Sequence, residues 1–232
     1  VGTETGVHQD MQEFRLKERG DPAEISAELR EASVVAATTA SCGSTVMREQ
    51  EFDVAIVDEA GQITEPGALA AINLAERFVL VGDHQQLPPV VQAEDEMDGD
   101  DTADLGASLF ERLIEAHPEA SVMLDRQYRM AQRIQAFASR EFYDGQLRPA
   151  TGEVAAQHIR DLSAVSLDDL PAHLQDSVTF VDPDGRARGN TNPDEADAVV
   201  ETVESFRKGG VEADEIGVIA PYRAQVAELN KR

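Results

Sequence analysis

Tryptophan is absent from this chain of 232 residues, cysteine occurs once, and lysine is found only at Lys17, Lys208 and Lys231. The lone Cys42 excludes an internal disulfide framework and any all-cysteine metal or iron–sulfur site within the chain. No apolar run approaches the roughly 20 residues needed to cross a bilayer, and the start has no signal-peptide pattern. A cytoplasmic protein with no membrane association is therefore expected. Positive charge is scarce. Lys and Arg number 20 against 45 Asp and Glu, a formal net charge of −25. One reading is a protein that avoids nucleic acid, because phosphate binding rests on cations. The other is adaptation to high salt, where surface carboxylates keep the chain solvated and screening weakens their repulsion. The acids are spread along the whole chain rather than gathered in a tail, which favours the salt-adapted, halophilic reading. On that reading, net charge does not argue against a nucleic-acid partner.

What is present is a 41% hydrophobic chain, enough for one large domain or two small ones with real cores. Residues 53–57 are mostly apolar and end in Asp58 and Glu59. The run predicts a strand buried on both faces, as in a parallel sheet. Acids at its carboxyl end lie where open α/β sheets bind ligands. There Asp58 can hold Mg²⁺ beside a triphosphate, and Glu59 can polarise a water for attack on the γ-phosphate. Taken alone, the pair reads first as a solvated acidic turn in an acid-rich chain.

Around this run, strand and helix patterns alternate. Asp21-Pro22-Ala23-Glu24 predicts a helix start by capping box, running to about Ala32. Residues 33–38 predict a short buried strand, followed by a loop of small hydroxylated residues over 38–44. Thr64 and Pro66 open a helix to about Leu74, and residues 77–81 predict another buried strand. Residues 94–104 read as a solvated acidic loop. Residues 105–116 form an amphipathic helix, and His117-Pro118 marks a domain boundary. Beyond it, residues 121–124, 178–181 and 216–220 predict strands. Helices are predicted to about Phe142, from Asn192-Pro193-Asp194-Glu195 (a second capping box) to about Lys208, and from Pro221 onward. Residues 144–177 are irregular by pattern. The alternation implies an α/β fold with mostly parallel sheets flanked by helices. Its appearance on both sides of residue 118 implies two units, 1–118 and 119–232.

Three further clusters sit at predicted strand ends or helix starts. Gly82-Asp83-His84-Gln85-Gln86 combines a glycine that lets backbone approach closely with polar side chains that can contact phosphate. Gln127-Tyr128-Arg129 pairs a ring that can stack on a base with a cation that can neutralise a transferring phosphoryl group. Tyr222-Arg223 opens the last helix. Each alone is consistent with an ordinary polar turn or helix start. His84 has no second soft ligand in view, so a metal role for it is not expected.

In this order and spacing, Asp-Glu-Ala-Gly-Gln, Gly-Asp-His-Gln-Gln-Leu-Pro-Pro, Gln-Tyr-Arg-Met and Ala-Pro-Tyr-Arg-Ala-Gln resemble the superfamily 1 helicases. The branch in question holds the lagging-strand DNA helicase–nuclease and the nonsense-mediated-decay RNA helicase. Residues 78–89 and 216–223 look more like the DNA enzyme, and residues 108–113 and 142–145 also fit. The resemblance covers about residues 24–232.

It implies two RecA-like lobes, both incomplete here. ATP would lie between them and single-stranded nucleic acid across the top, DNA in preference to RNA. Asp58 would bind Mg²⁺, Glu59 would activate water, and Gln86 would sense the γ-phosphate. Gln62, Gly82 and Asp83 would line the nucleotide. Tyr128 would contact its base, and Arg129 would act as an arginine finger. Thr38, Thr39 and Ser41, with Tyr222 and Arg223, would grip the nucleic-acid backbone. Gly61 stands where the branch commonly has Ser or Thr, a change expected to be mild.

A helicase of this kind needs a Gly-x-x-x-x-Gly-Lys-[Ser/Thr] phosphate loop, and the sequence contains no Gly-Lys-[Ser/Thr]. The expectation is a piece of a longer polypeptide, whose remainder is its first partner and without which it hydrolyses almost no ATP. An RNA helicase of the same branch and a non-catalytic nucleic-acid-binding module remain as alternatives.

Overall fold

A strand exists only as half of a ladder, and β-propensity cannot supply the other half. The computed structural model describes residues 8–14, 16, 22–90, 107–162, 164–183 and 185–232, and they divide into two units, Val1–Val122 and Met123–Arg232. Among the described residues each unit has one short ladder, and both ladders are parallel. The class is α/β with short parallel sheets flanked by helices.

In the first unit, Pro22–Glu31 forms α1 as expected, while its predicted cap, Asp21, lies outside the described residues. Residues 33–38 form no strand, and Val34 is 86% exposed. Among the described residues nothing pairs with this segment, so its apolar composition is not converted into a ladder. The predicted hydroxyl loop over 38–44 instead contains a helical turn, α2 (Thr39–Cys42), and a second turn, α3 (Thr45–Arg48), follows it. β1 (Phe52–Val57), α4 (Glu65–Ile72) and β2 (Ala75–Leu80) follow, with β1 and β2 in register from Phe52↔Ala75 to Val57↔Leu80. α5 covers Leu109–Ala116, and the acidic stretch 94–104 lies outside the described residues.

The core gathers at the carboxyl end of β1, where Val57, Ala60, Ala68, Ile72 and Leu109 pack together with Leu80 and Phe110 against them. Burying a leucine like Leu109 contributes about 1.5–3 kcal/mol. The expectation of a strand buried on both faces is corrected. Only Val57 of β1 is buried, and Ile56 is 71% exposed. A two-stranded ladder with helices packed at one end covers only part of its faces.

Residues 121–124, at the junction of the two units, form no strand; the second unit's ladder lies just beyond, between β3 (Arg126–Gln127) and β4 (Arg148–Pro149). α6 (Gln132–Phe142) joins them, and α7 (Gly152–Ala156) follows β4. Residues 178–181 and 216–220 also form no strands, with Phe180 and Ile219 among the most exposed apolar side chains. They too have no ladder partner among the described residues.

α8 (Pro193–Lys208) starts at Asn192, whose side chain accepts from the N–H groups of Asp194 and Glu195. The predicted capping box is not closed by Glu195. The Asn192 N–H instead donates to Gln225 Oε1 at 2.8 Å, and Gln225 Nε2 donates back to the Asn192 carbonyl at 3.0 Å. Gln225 sits in α9 (Arg223–Leu229), so this buried pair of bonds ties α9 to the start of α8. Gln225→Ala leaves a buried N–H without its partner, an expected loss of about 1–3 kcal/mol. Urea unfolding measures it, and an unchanged midpoint would remove the clamp from the stability argument. Among the described residues no helix is long and apolar enough to cross a membrane.

Candidate functional site

The acid pair occupies the turn that leaves β1. Asp58 Oδ1 accepts the Glu59 N–H at 3.0 Å, while Oδ2 accepts no hydrogen bond among the described residues. Glu59 sits in the left-handed region at φ 52°, ψ 35°. Among the described residues only two non-glycine residues have positive φ, the other being Asp144. That conformation is costly for a residue with a Cβ and marks sites where surrounding structure over-determines the backbone. The chain beyond is locked: the Ala60 N–H donates to the Val81 carbonyl at 2.9 Å, and the Val81 N–H to Val57 at 2.8 Å. Gln62 Nε2 donates to Glu59 Oε2 at 3.2 Å, giving Gln62 a direct hold on the carboxylate. Both acids face solvent.

The loop after β2 lies directly against this turn. A Cβ on Gly61 would meet the Asp83 carbonyl oxygen at 2.8 Å, and one on Gly82 would meet the Gly61 nitrogen at 2.8 Å. Two glycines thus let the loops touch backbone to backbone. This corrects the expectation that Gly61 is a mild departure, since a side chain there forces the loops apart. Gly61→Ser should destabilise the protein by about 1–3 kcal/mol, the range for overpacking a close contact. Thermal unfolding reads the loss, and an unshifted midpoint would show that the loops yield freely. Asp83 organises its own loop by accepting the Gln85 N–H at 3.0 Å and Gln86 Nε2 at 2.9 Å. The Gln86 amide oxygen accepts no hydrogen bond among the described residues. His84 Nε2 lies 3.1 Å from Gln85 Nε2.

Thr38 caps α2. Its Oγ1 accepts the Ser41 N–H at 3.3 Å and lies 3.0 Å from Ser41 Oγ. The Thr39 hydroxyl lies beside Gly67 of α4. Asp58, Glu59, Gln62, Gly82, Asp83 and Gln86 are therefore brought together, with the Thr38–Ser41 turn packed on the same α4 that supports the core. An exposed carboxylate anchored through one oxygen fits Mg²⁺, which binds through one or two carboxylates, water and substrate phosphates. No group of three His, Cys, Asp or Glu placed to hold a metal occurs among the described residues.

Tyr128, Arg129, Tyr222 and Arg223 belong to the second unit and are all exposed. The turn carrying Arg129 is built by Gln127, which sequence reasoning left without a role. Gln127 Oε1 accepts the N–H groups of Arg129 at 2.8 Å and Met130 at 2.7 Å. Its Nε2 donates to the Met130 carbonyl and to Gln135 Oε1 at 3.1 Å. The buried Gln135 in turn donates to the Leu147 carbonyl at 3.0 Å. Gln127 was visible as part of a motif; nothing in the sequence singled out Gln135. The Arg129 guanidinium has no ion pair among the described residues of a chain with more than twice as many acids as bases.

Residues 105–232 match the model of a family described as AAA domain, and residues 3–94 match a second model with the same description. The chain is 35% identical to the DNA replication ATP-dependent helicase/nuclease of Arabidopsis thaliana, over 98% of this chain and 18% of the relative. It is 34% identical to an uncharacterized ATP-dependent helicase of Methanocaldococcus jannaschii, over 88% of this chain and 30% of that protein. It is 32% identical to the DNA polymerase alpha-associated DNA helicase A of Schizosaccharomyces pombe, over 97% of this chain and 34% of that protein. The chain thus spans between about a fifth and a third of the length of these relatives. With the acid turn, the glycine-packed loop and the arginine turn in place, the chain belongs to the AAA domain family.

Proposed function

We propose that this chain serves an ATP-dependent DNA helicase or translocase, supplying carboxylates for ATP hydrolysis and part of the grip on single-stranded DNA. The observation that carries the reading is the Asp58–Glu59 turn. It is held in a costly backbone conformation and zipped to the Asp83 loop through two glycines, in a chain similar over nearly its whole length to ATP-dependent DNA helicases.

Glu59 accepts a proton from the attacking water as the γ-phosphoryl group leaves, and Gln62 fixes the orientation of its carboxylate. Asp58 would hold Mg²⁺, and the chemistry such an ion would supply there is neutralisation of charge on the phosphates. Gly82 lets its backbone come close to the phosphates. Asp83 aims the Gln86 amide, whose oxygen accepts from the attacking water and whose second N–H donates to the γ-phosphate. Tyr128 packs on the base, and Arg129 stabilises the charge of the transferring group. Thr38, Thr39 and Ser41, with Tyr222 and Arg223, bind the strand through phosphate and stacking contacts that carry no sequence preference.

The phosphate loop is assigned to the longer protein. A cytoplasmic setting is part of this reading, since a chain with one cysteine needs no oxidising compartment to fold. The charge of −25 supports operation at high salt. The test is ATP turnover by the full-length protein in molar KCl, with and without single-stranded DNA or RNA. Stimulation by DNA is expected. Stimulation by RNA alone would reassign the substrate, and no turnover under either condition would end the helicase reading.

A further inference from the structure

The second unit carries a solvent-open groove of about 600 Å³ between α6, β4 and α7. Arg126, Arg140 and Arg148 line it, with Gln135, Ser139 and Thr151 between them, and no Asp or Glu is among its lining residues. In a chain with 45 acids and 20 bases, that makes it an electrostatic exception. Two of the three arginines have a carboxylate alongside: Arg126 lies 3.7 Å from Asp125, and Arg140 lies 2.6 Å from Glu141 and over the Phe137 ring. Those pairs are exposed, and exposed pairs are weak enough to exchange for a phosphate. Arg148 makes no ion pair among the described residues. The backbone pairing Arg126↔Arg148 sets two of the arginines on adjacent strands.

We propose that this groove binds backbone phosphates of a single nucleic-acid strand, as a site additional to Thr38, Thr39, Ser41, Tyr222 and Arg223. The proposal rests on the helicase reading above. Guanidinium groups with hydroxyls and amides between them are the phosphate-binding set of nucleic-acid interfaces. The lining holds no aromatic ring on which a base could stack, so the contact is with the backbone and ignores sequence. The same absence argues against a free nucleotide, which needs a place for its base.

The groove is also wired to the arginine turn. Gln135 forms part of its wall and bonds Gln127, which holds the N–H groups of Arg129 and Met130. Ser139 Oγ and Gln135 Nε2 both donate to the Leu147 carbonyl, one residue before Arg148. A strand pressing on β4 therefore bears on the element that orients Arg129.

The experiment measures binding of a fluorescein-labelled oligo-dT by anisotropy across a KCl series, with the full-length protein and its Arg126→Gln/Arg148→Gln variant. Each lost charge should weaken binding about tenfold at low salt. Each should also lower the slope of log affinity against log salt by about 0.7. Should the double variant fail to fold, Arg148→Gln alone should show half the slope change. Wild-type affinity and slope in the folded variant would overturn the groove and leave the helicase reading standing. Failure of the wild-type protein to bind the oligonucleotide would overturn both. A loss confined to a fluorescent ATP analogue would make the groove a nucleotide site and overturn the strand assignment.

Discussion

Glu59→Gln in the full-length protein should retain ATP binding and lose turnover by about two to four powers of ten, the range for a positioned general base. The substitution keeps the shape of the side chain and its ability to bond Gln62, and removes the group that can take a proton. The turn itself is held by the Ala60–Val81 bond and the Asp58 cap on the Glu59 N–H, neither of which uses the Glu59 carboxylate. The structure should therefore survive and the chemistry should not. Single-turnover hydrolysis beside equilibrium binding of a fluorescent ATP analogue separates the two. Turnover within a factor of about ten of wild type would take the base role away from Glu59. Loss of binding together with turnover would mean that the left-handed turn depends on the charge.

The part of the fold legible in the sequence is the part whose partners are near in the chain. β1, α4 and β2 lie within 29 residues of one another, and the ladder from Phe52↔Ala75 to Val57↔Leu80 closes through one short crossover helix. The helices with strong starts were equally readable: Pro22 and Pro193 each stand at a first helical position, and Asn192 caps two N–H groups. The failures share one cause. Residues 33–38, 121–124, 178–181 and 216–220 have strand composition, and none finds a partner among the described residues. Composition reports what a segment tolerates; only a neighbouring strand makes it a ladder.

At the candidate site the sequence revealed residue types and concealed contacts. Asp58, Glu59 and Gln86 stood out because carboxylates and amides at strand ends are chemically conspicuous. Gly61 did not, because a glycine carries no functional group; its importance is the 2.8 Å approach of the Asp83 carbonyl to where its Cβ would be. Gln135 was invisible, and Gln225, though part of a motif, was left without a role, for the complementary reason. A glutamine in a helix reads as a surface residue, whereas both are buried and fully bonded, one behind the Arg129 turn and one across 33 residues to Asn192. The Thr38–Ser41 segment shows the same limit. Its hydroxyls were read as open to a phosphate, and the structure shows them partly engaged with each other as a helix cap.

Arg129→Ala should lower ATP turnover by about three to five powers of ten, the range for an arginine that stabilises a transferring phosphoryl group. Nucleotide affinity should change far less, since charge on that group grows only as the transition state is approached. Two observations support the size of the effect. The guanidinium is exposed and has no competing carboxylate among the described residues, although acids abound. Its backbone is fixed through the N–H bond to Gln127 Oε1, and Gln127 is itself braced by Gln135. The backbone that carries the arginine is thus fixed before ATP binds, which lowers the reorganisation its charge must undergo.

Lysine should not restore the rate, because a point charge on a flexible stem lacks the planar fork that matches two phosphate oxygens. Gln127→Ala gives the indirect counterpart. Arg129 remains but loses its tether, so turnover should fall to a value between wild type and Arg129→Ala. Pre-steady-state hydrolysis of the three variants decides the assignment. Full rescue by lysine would reduce Arg129 to a general positive charge. A Gln127→Ala enzyme as fast as wild type would show that the turn holds itself without the buried amide pair.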